Sequence, residues 1–407
     1  MRSTVVRAIL AAGTLLALGY LPEAKAQTFQ ILYSFPGGVN GSGPTGSLVL
    51  DSSNNLLGTT TNGGDTGCGS SIGCGVVYKL SPSGAESTLT SFHKLPDAQY
   101  PLAGVISNGG RFYGTTESGG TGGGFGTVFS VTPGGSRSIL YSFQGGADGQ
   151  LPFSSLTHDQ AGAVYGTTEF GGSYTTCTTY GCGTIYKVDK SGNHTVLHAF
   201  TGLDGAYPFG GVIGDAAGNL YGTTQSGGSG PCTGGCGVVF KLDTAGNETV
   251  LYNFQGYPID GAGPISGLVT DPEGNLYGTT YGGGTDGEGT IFKLSPGGLL
   301  TTLHNFSARR DGGAPSMGVI RDSRGNLYGT TYFGGSTSCG LHEHGCGVVY
   351  RLTPTGQFIV LHLFVGGPSD GENPTWGNLL LDSSGNIYGV ATSGGAYSSG
   401  IVFKITP

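Results

Sequence analysis

The sequence predicts an all-β fold, a seven-bladed β-propeller of four-stranded blades. Glycine content, a recurring unit of some 55 residues, and two chain ends that complement one another lead to it. Glycine supplies 84 of the 407 residues, against 17 basic and 25 acidic ones. Glycine is too costly inside helices for a helical protein of this composition. It follows no every-third-residue period, which excludes a collagen-like chain. The low charge, with 21 Tyr and 19 Phe, excludes an ordinary disordered polymer. The net charge of −8 contains no basic block, so nucleic-acid partners are not expected.

Residues 1–26 have the form of a secretory signal. Arg2 and Arg7 open it, Ile9 to Tyr20 is apolar but too short to cross a bilayer, and Ala24-Lys25-Ala26 is a small-x-small cleavage site. Cleavage before Gln27 removes Arg2, Arg7, Lys25 and Glu23 and takes the net charge from −8 to −10. No later segment has the length and apolarity of a membrane span. The expected location is extracellular, with the periplasm as the other compartment such a signal reaches.

The string Gly-Thr-Thr recurs at Gly58, Gly114, Gly166, Gly222, Gly278 and Gly329, with Gly389-Val390-Ala391 as a degenerate seventh copy. The intervals run from 51 to 60 residues. Each unit holds four strand-like runs bounded by Gly, Asn and Asp, the signature of consecutive hairpins. In the fourth unit these runs are Gly211 to Ile213, Leu220 to Thr224, Gly237 to Leu242 and Glu248 to Phe254. A four-stranded unit repeated seven times is the pattern of a propeller, whereas a parallel β-helix needs a far shorter repeat.

The chain ends say how the ring closes. Thr28 to Phe35 matches the fourth strand of the units, while Ile401 to Ile405 matches the third. The last unit therefore lacks a fourth strand and the N-terminus supplies it, which leaves no open edge between first and last blade. Residues 27–407 are expected to form one propeller domain.

The eight cysteines fall into four local pairs, Cys68/Cys74, Cys177/Cys182, Cys232/Cys236 and Cys339/Cys346. The second of each lies in Gly-Cys-Gly. An even count in an exported chain reads as disulfides, and spacings of 6, 5, 4 and 7 are unlike the short reused spacing of a zinc site.

The recurring strings Gly-Asn-Leu-Tyr-Gly-Thr-Thr (Gly218 to Thr224), Val-Phe-Lys-Leu (Val239 to Leu242) and Val-Leu-Tyr-x-Phe (Val250 to Phe254) resemble the GloVer tandem repeat. That repeat occurs in exported bacterial proteins of the "choice-of-anchor" type. The resemblance covers essentially the whole chain after residue 26 and implies an extracellular setting. It implies no activity.

In propeller topology the loops after the first and third strands share one face. Here they are short Asp/Asn/Gly turns, such as Asp271-Pro272-Glu273-Gly274, whose side chains close the turn locally. The opposite face carries the longer loops and all the cysteines, and function on rigid scaffolds concentrates in such loops. On it lies an Asp-x-x-x-Pro string at Asp97, Asp148, Asp204, Asp260, Asp311 and Asp370, with Asn40/Pro44 in the first unit. One acid per blade is poor for calcium, so turn capping is the expected role. The residue after each Gly-Thr-Thr varies while its neighbours repeat: Thr61, Glu117, Glu169, Gln225, Tyr281, Tyr332 and Thr392.

Glu117, Glu169, Tyr281, Tyr332 and Trp376, the single tryptophan, are the candidate ligand-binding residues. Glu117 and Glu169 occupy neighbouring blades, and two carboxylates could act as acid and base on a glycosidic bond. His342-Glu343-His344 offers two imidazoles but no evident third ligand, so no metal site is expected. No nucleotide loop, Ser-His-Asp arrangement or zinc-protease motif is present, and no cofactor is expected. His198, His304 and His362 recur in the fourth strand where Tyr33, Tyr141 and Tyr252 also stand, which marks them as packing residues. The expected function is that of a secreted, monomeric binding or structural module for polysaccharide or a cell-surface partner. The alternative is an extracellular carbohydrate-active enzyme, a glycoside hydrolase or lyase, working at the channel mouth.

Overall fold

The computed structural model describes residues 27–68, 72–172, 177, 179–335, 339, 345–375 and 377–406. Residues 1–26, Trp376 and His342-Glu343-His344 lie outside the described residues. Seven antiparallel four-stranded sheets form the seven blades of a β-propeller. Blade one comprises Ser42–Leu50, Leu56–Asn62, Val76–Leu80 and Glu86–Ser91. Blade four comprises Val212–Gly214, Leu220–Thr224, Val238–Leu242 and Glu248–Asn253. Blade seven takes Leu380–Leu381, Ile387–Ala391 and Ile401–Thr406 from the C-terminal end and Thr28–Ser34 from the N-terminal end. Phe29 pairs with Ile405 and Tyr33 with Val402, so the closing strand is the one its sequence matches.

The Gly-Thr-Thr string has a packing cause. Its glycine sits directly opposite an aromatic residue of the third strand: Gly58 opposite Tyr78, Gly114 opposite Phe129, Gly166 opposite Tyr186 and Gly222 opposite Phe240. The pattern continues with Gly278 and Phe292, Gly329 and Tyr350, and Gly389 and Phe403. The ring lies across the glycine, and a Cβ at Gly222 would stand 2.5 Å from Cζ of Phe240. All seven rings are fully buried.

Each of these rings then meets a Phe that follows the fourth strand of the preceding blade. Phe35 meets Tyr78 and Phe92 meets Phe129, both at 5.0 Å between ring centroids. Phe143–Tyr186, Phe200–Phe240, Phe254–Phe292, Phe306–Tyr350 and Phe364–Phe403 repeat the contact at 5.0 to 5.5 Å. Such pairs stabilise by about 0.5–1.5 kcal/mol beyond the area they bury.

The two threonines divide the remaining work. The first reaches the next blade, as Thr223 Oγ1 donates to the Ser266 carbonyl at 2.9 Å and Thr279 Oγ1 to that of Met317 at 2.8 Å. The second folds back on its own chain, as Thr224 Oγ1 donates to the Ser226 carbonyl at 2.9 Å.

The turn face is held by its own side chains. Asp215 Oδ1 accepts from the N–H groups of Ala217 and Asn219, and Oδ2 accepts from the Asn219 amide and the Tyr221 hydroxyl. Asp271, Asp322 and Asp382 accept the corresponding bonds from Asn275 and Tyr277, Asn326 and Tyr328, and Asn386 and Tyr388. These bonds hold the Asp carboxyls below the usual carboxylate range despite an opposing contribution from burial.

A methyl group placed under a buried ring overpacks it, at a cost of about 1–3 kcal/mol. Gly222→Ala is therefore expected to lower the midpoint of chemical unfolding. An unchanged midpoint would show that Phe240 does not need the space above Gly222.

Candidate functional site

The loop face is assembled by the two motifs between blades. The proline of each Asp-x-x-x-Pro packs its ring on the glycine that precedes the third strand of the previous blade. The Pro264 ring lies on Gly237 in this way, Pro315 on Gly289, and Pro44 on Gly400. Gly237 has φ +91°, so this position excludes a side chain twice over, by space and by backbone conformation. The aspartate of the motif turns away from the channel and caps the loop behind the fourth strand. Asp260 accepts from the N–H groups of Gln255 and Gly256 and from the Tyr252 hydroxyl. His198, His304 and His362 take the place of that tyrosine against Asp204, Asp311 and Asp370, at 2.9 to 3.2 Å. The acids are thus capping groups, and the fourth-strand histidines are their partners.

The first strands enter beside the axis and are joined there by backbone N–H groups. Ser47 N–H donates to the Ala103 carbonyl at 3.2 Å, and Asn378 N–H to Ser47 Oγ at 2.9 Å. The rings of Phe153 and Phe209 lie 5.7 Å apart in this neck, where the free volume bounded by blades three to seven is only about 60 Å³.

Above the neck the channel opens into a cup of about 820 Å³. Thr61, Gln225, Tyr281, Tyr332 and Thr392 line it, all from the position after Gly-Thr-Thr. A second ring comes from the residue after each inter-blade proline, and Thr45, Leu102, Ile265, Ser316 and Thr375 belong to it. Asn62, Asn373 and Ser393 complete a wall of hydroxyls, amides and two phenols with no charged group among the described lining residues. Burial, then the proximity of Tyr332, pushes the Tyr281 phenol up.

Of the sequence candidates, Tyr281 and Tyr332 are brought together in this cup. Glu117 and Glu169 hold the equivalent positions of blades two and three but do not line it. Both are half-buried, and neither carboxylate has a hydrogen-bond partner among the described residues. Burial raises Glu117. Burial and then the charge of Glu117 push Glu169 up to about 7. Trp376 lies outside the described residues. Sequence reasoning missed the second ring, whose one signal is a varying residue directly after the repeated proline.

All four cysteine pairs are disulfides in the loops between second and third strands. The bridges are Cys68–Cys74, Cys177–Cys182, Cys232–Cys236 and Cys339–Cys346, with Cα–Cα separations of 5.5, 5.3, 5.0 and 5.3 Å. The pairing and the position in these loops are as the sequence predicts, and the structure adds how deep the second members reach. Cys74, Cys182, Cys236 and Cys346, the second members, are buried in the hydrophobic core, and so is Cys339. Cys74 packs with Phe92 and Phe129, Cys182 with Phe200 and Phe240, Cys236 with Phe254 and Phe292, and Cys346 with Phe364 and Phe403. The cause is the Gly-Cys-Gly string itself. It stands where the loop enters the third strand, and the residue between its glycines points inward onto the rings between blades. Cys68, Cys177 and Cys232 are only partly buried. The bridges therefore tie the loop to the core beneath it, and Cys74, Cys182, Cys236 and Cys346 present nothing to a ligand.

The sequence matches the Gloeobacter/Verrucomicrobia repeat over residues 13–233 and again over 216–407. The chain belongs to this repeat family. No curated protein matches the sequence. Among solved structures, the repeat protein is similar to the extracellular domain of a protein described as a hybrid two component system from B. thetaiotaomicron. The TM-score is 0.58 at 12% identity, covering 93% of this chain and 41% of that one. The extracellular domain of a protein described as a one component system from the same organism gives 0.53 at 12% identity, covering 92% and 39%. The chain thus spans about two fifths of the length of each. A gluconolactonase from Xanthomonas campestris gives 0.44 at 11% identity, covering 93% and 89%. The first two likenesses show a shared propeller fold. Among the described residues, no helix is long and apolar enough to cross a membrane.

Glu169 tests the electrostatics of this face. Burial and the neighbouring Glu117 push its carboxyl up to about 7, from about 4.5 in the unfolded chain, so the folded state holds the proton more tightly. Stability must then fall as pH rises from about 4.5 through about 7. Glu169→Gln is expected to raise the melting temperature at pH 8 and to leave it nearly unchanged at pH 4. An equal shift at both values would mean that the carboxylate is not destabilised where it stands.

Proposed function

We propose that this repeat protein is an exported binding module that takes a neutral oligosaccharide, or the end of a polysaccharide, into the cup on its loop face. The composition of the cup carries this reading. Its described wall offers many hydroxyl and amide groups, two adjacent tyrosines and no charge, which suits a ligand rich in hydroxyls with apolar ring faces. The scaffold repeats, yet the lining residues differ from blade to blade, as a specific site requires. Exposed apolar side chains extend the same face outward, among them Leu203, Tyr257, Ile259 and Tyr397. Export is supported by the form of residues 1–26 and by four disulfides, which persist in oxidising compartments.

A second reading is favoured by one observation. Glu169 is held near pH 7 beside a second carboxylate, the condition of a general acid in glycoside cleavage. The protein would then be a carbohydrate-active enzyme with Glu169 as acid and Glu117 as its partner.

A neutral-glycan array followed by titration calorimetry and turnover assays separates the two. Tyr281→Ala and Tyr332→Ala are each expected to weaken binding about tenfold, roughly 1.4 kcal/mol. Lys190→Ala and Arg324→Ala on the turn face are expected to leave it unchanged. Binding without turnover supports the module, and turnover lost in Glu169→Gln supports the enzyme. A ligand that responds only to the turn-face changes would overturn the assignment of the cup.

A further inference from the structure

At four of the junctions between blades, a residue at the start of one fourth strand covers the capping aspartate of the blade before it or that aspartate's aromatic partner. Arg137 pairs with Asp97 at 2.7 Å. His194 stacks on Tyr141 at 4.2 Å, Phe358 on His304 at 4.0 Å and Phe29 on His362 at 3.6 Å. Each cover is chemically matched to what lies under it.

The junction of blades three and four departs from this rule. His198 and Asp204 form the same pair as His304 and Asp311, but the covering residue is Glu248. One ligating atom from each of His198, Asp204 and Glu248 lies within 4.8 Å of the other two, the one such group among the described residues. Oε1 of Glu248 is buried and has no hydrogen-bond partner. Asp204 is already oriented, because its Oδ1 accepts from Thr201 N–H at 2.7 Å and Thr201 Oγ1 at 2.9 Å. Its Oδ2 is left facing Nε2 of His198 at 3.0 Å.

A carboxylate oxygen buried without a donor, beside a second carboxylate, is unfavourable by the cost of an unmet polar atom and by like-charge repulsion. A cation between them removes both costs. Two carboxylates and a neutral imidazole give three ligands and two negative charges, which leaves one place for water on a tetrahedral ion. Metal–ligand bonds of about 2.0 Å put neighbouring ligand atoms roughly 3.3 Å apart, close to the His198–Asp204 separation. Rotation of the Glu248 side chain closes the third side.

We propose that His198 Nε2, Asp204 Oδ2 and Glu248 Oε1 form a divalent-cation site of zinc type that fastens blade three to blade four at their outer edge. The site is remote from the cup and independent of the function proposed for it. On binding, the proton that bridges His198 Nε2 to Asp204 Oδ2 is displaced, leaving a neutral imidazole with its one proton on Nδ1, and the Glu248 carboxyl releases any proton it holds to solvent.

The test uses the untagged, chelator-stripped full chain without residues 1–26, titrated with zinc chloride against a chromophoric chelator. One zinc ion per chain is expected at micromolar concentration, and cobalt(II) should give visible absorption at the same stoichiometry. Glu248→Phe restores the ring-on-histidine cover of the other junctions. It is expected to fold and to weaken zinc binding at least 100-fold, with loss of the cobalt spectrum. Glu248→Gln, a near-isosteric change, is expected to weaken binding at least tenfold. Failure of the unaltered chain to take up zinc, or uptake undiminished in both variants, would overturn the proposal.

Discussion

One contact sets the geometry of the molecule: an aromatic ring of the third strand, laid over the glycine of the second and met at a steep angle by a phenylalanine of the preceding blade. It occurs at all seven junctions, with ring centroids 5.0 to 5.5 Å apart. The glycine removes the atom that would hold the ring away from the sheet, and the ring then fills the gap between blades. The threonine bond from one blade to the next and the proline packed on a left-handed glycine follow the same logic. These repeated residues each answer to a neighbour in the adjacent blade, so the sequence repeats in step with the ring.

That dependence explains what could be seen in the sequence. Gly-Thr-Thr and Asp-x-x-x-Pro recur because each is needed once per junction, and counting them gives seven blades. The two chain ends announce their closure because Thr28–Ser34 must meet the same partner as any fourth strand. The four disulfides were legible because each bridge closes a loop within one unit. The burial of Cys74, Cys182, Cys236 and Cys346 was not, because the rings that cover them come partly from other blades. Which residues converge at the axis was harder to see. Tyr281 and Tyr332 stood out by varying inside a constant string. Thr45 and Ile265 vary in the same way beside the inter-blade proline, but only the folded ring shows that this position faces the cup. The partner of Glu248 was beyond sequence reasoning, since His198 and Asp204 lie in the preceding blade, 50 and 44 positions away in the chain.

The two faces divide the chemistry. On the turn face, aspartate, asparagine and tyrosine are consumed by local hydrogen bonds, and little is left to recognise a ligand. On the loop face the repeated residues finish the scaffold and then release one or two positions per blade. Those positions carry neutral polar and aromatic groups in one arc of the channel and two destabilised carboxylates in another. The neck below narrows the channel beneath the cup. The ring is closed, and four of its loops are bridged to the core.

Closure is the claim on which the rest stands, because every junction bears on the next. Deleting residues 27–36 removes the strand that pairs with Ile401–Thr406 and, with it, Phe35, the ring that meets Tyr78. The direct measurement is the unfolding free energy of this truncated chain against the chain that begins at Gln27. Loss of one fully buried phenylalanine alone costs about 3–5 kcal/mol, so a fall of at least that size is expected, together with aggregation through the exposed sheet edge. A truncated chain that unfolds at the same free energy and stays monomeric would contradict closure by the N-terminal strand.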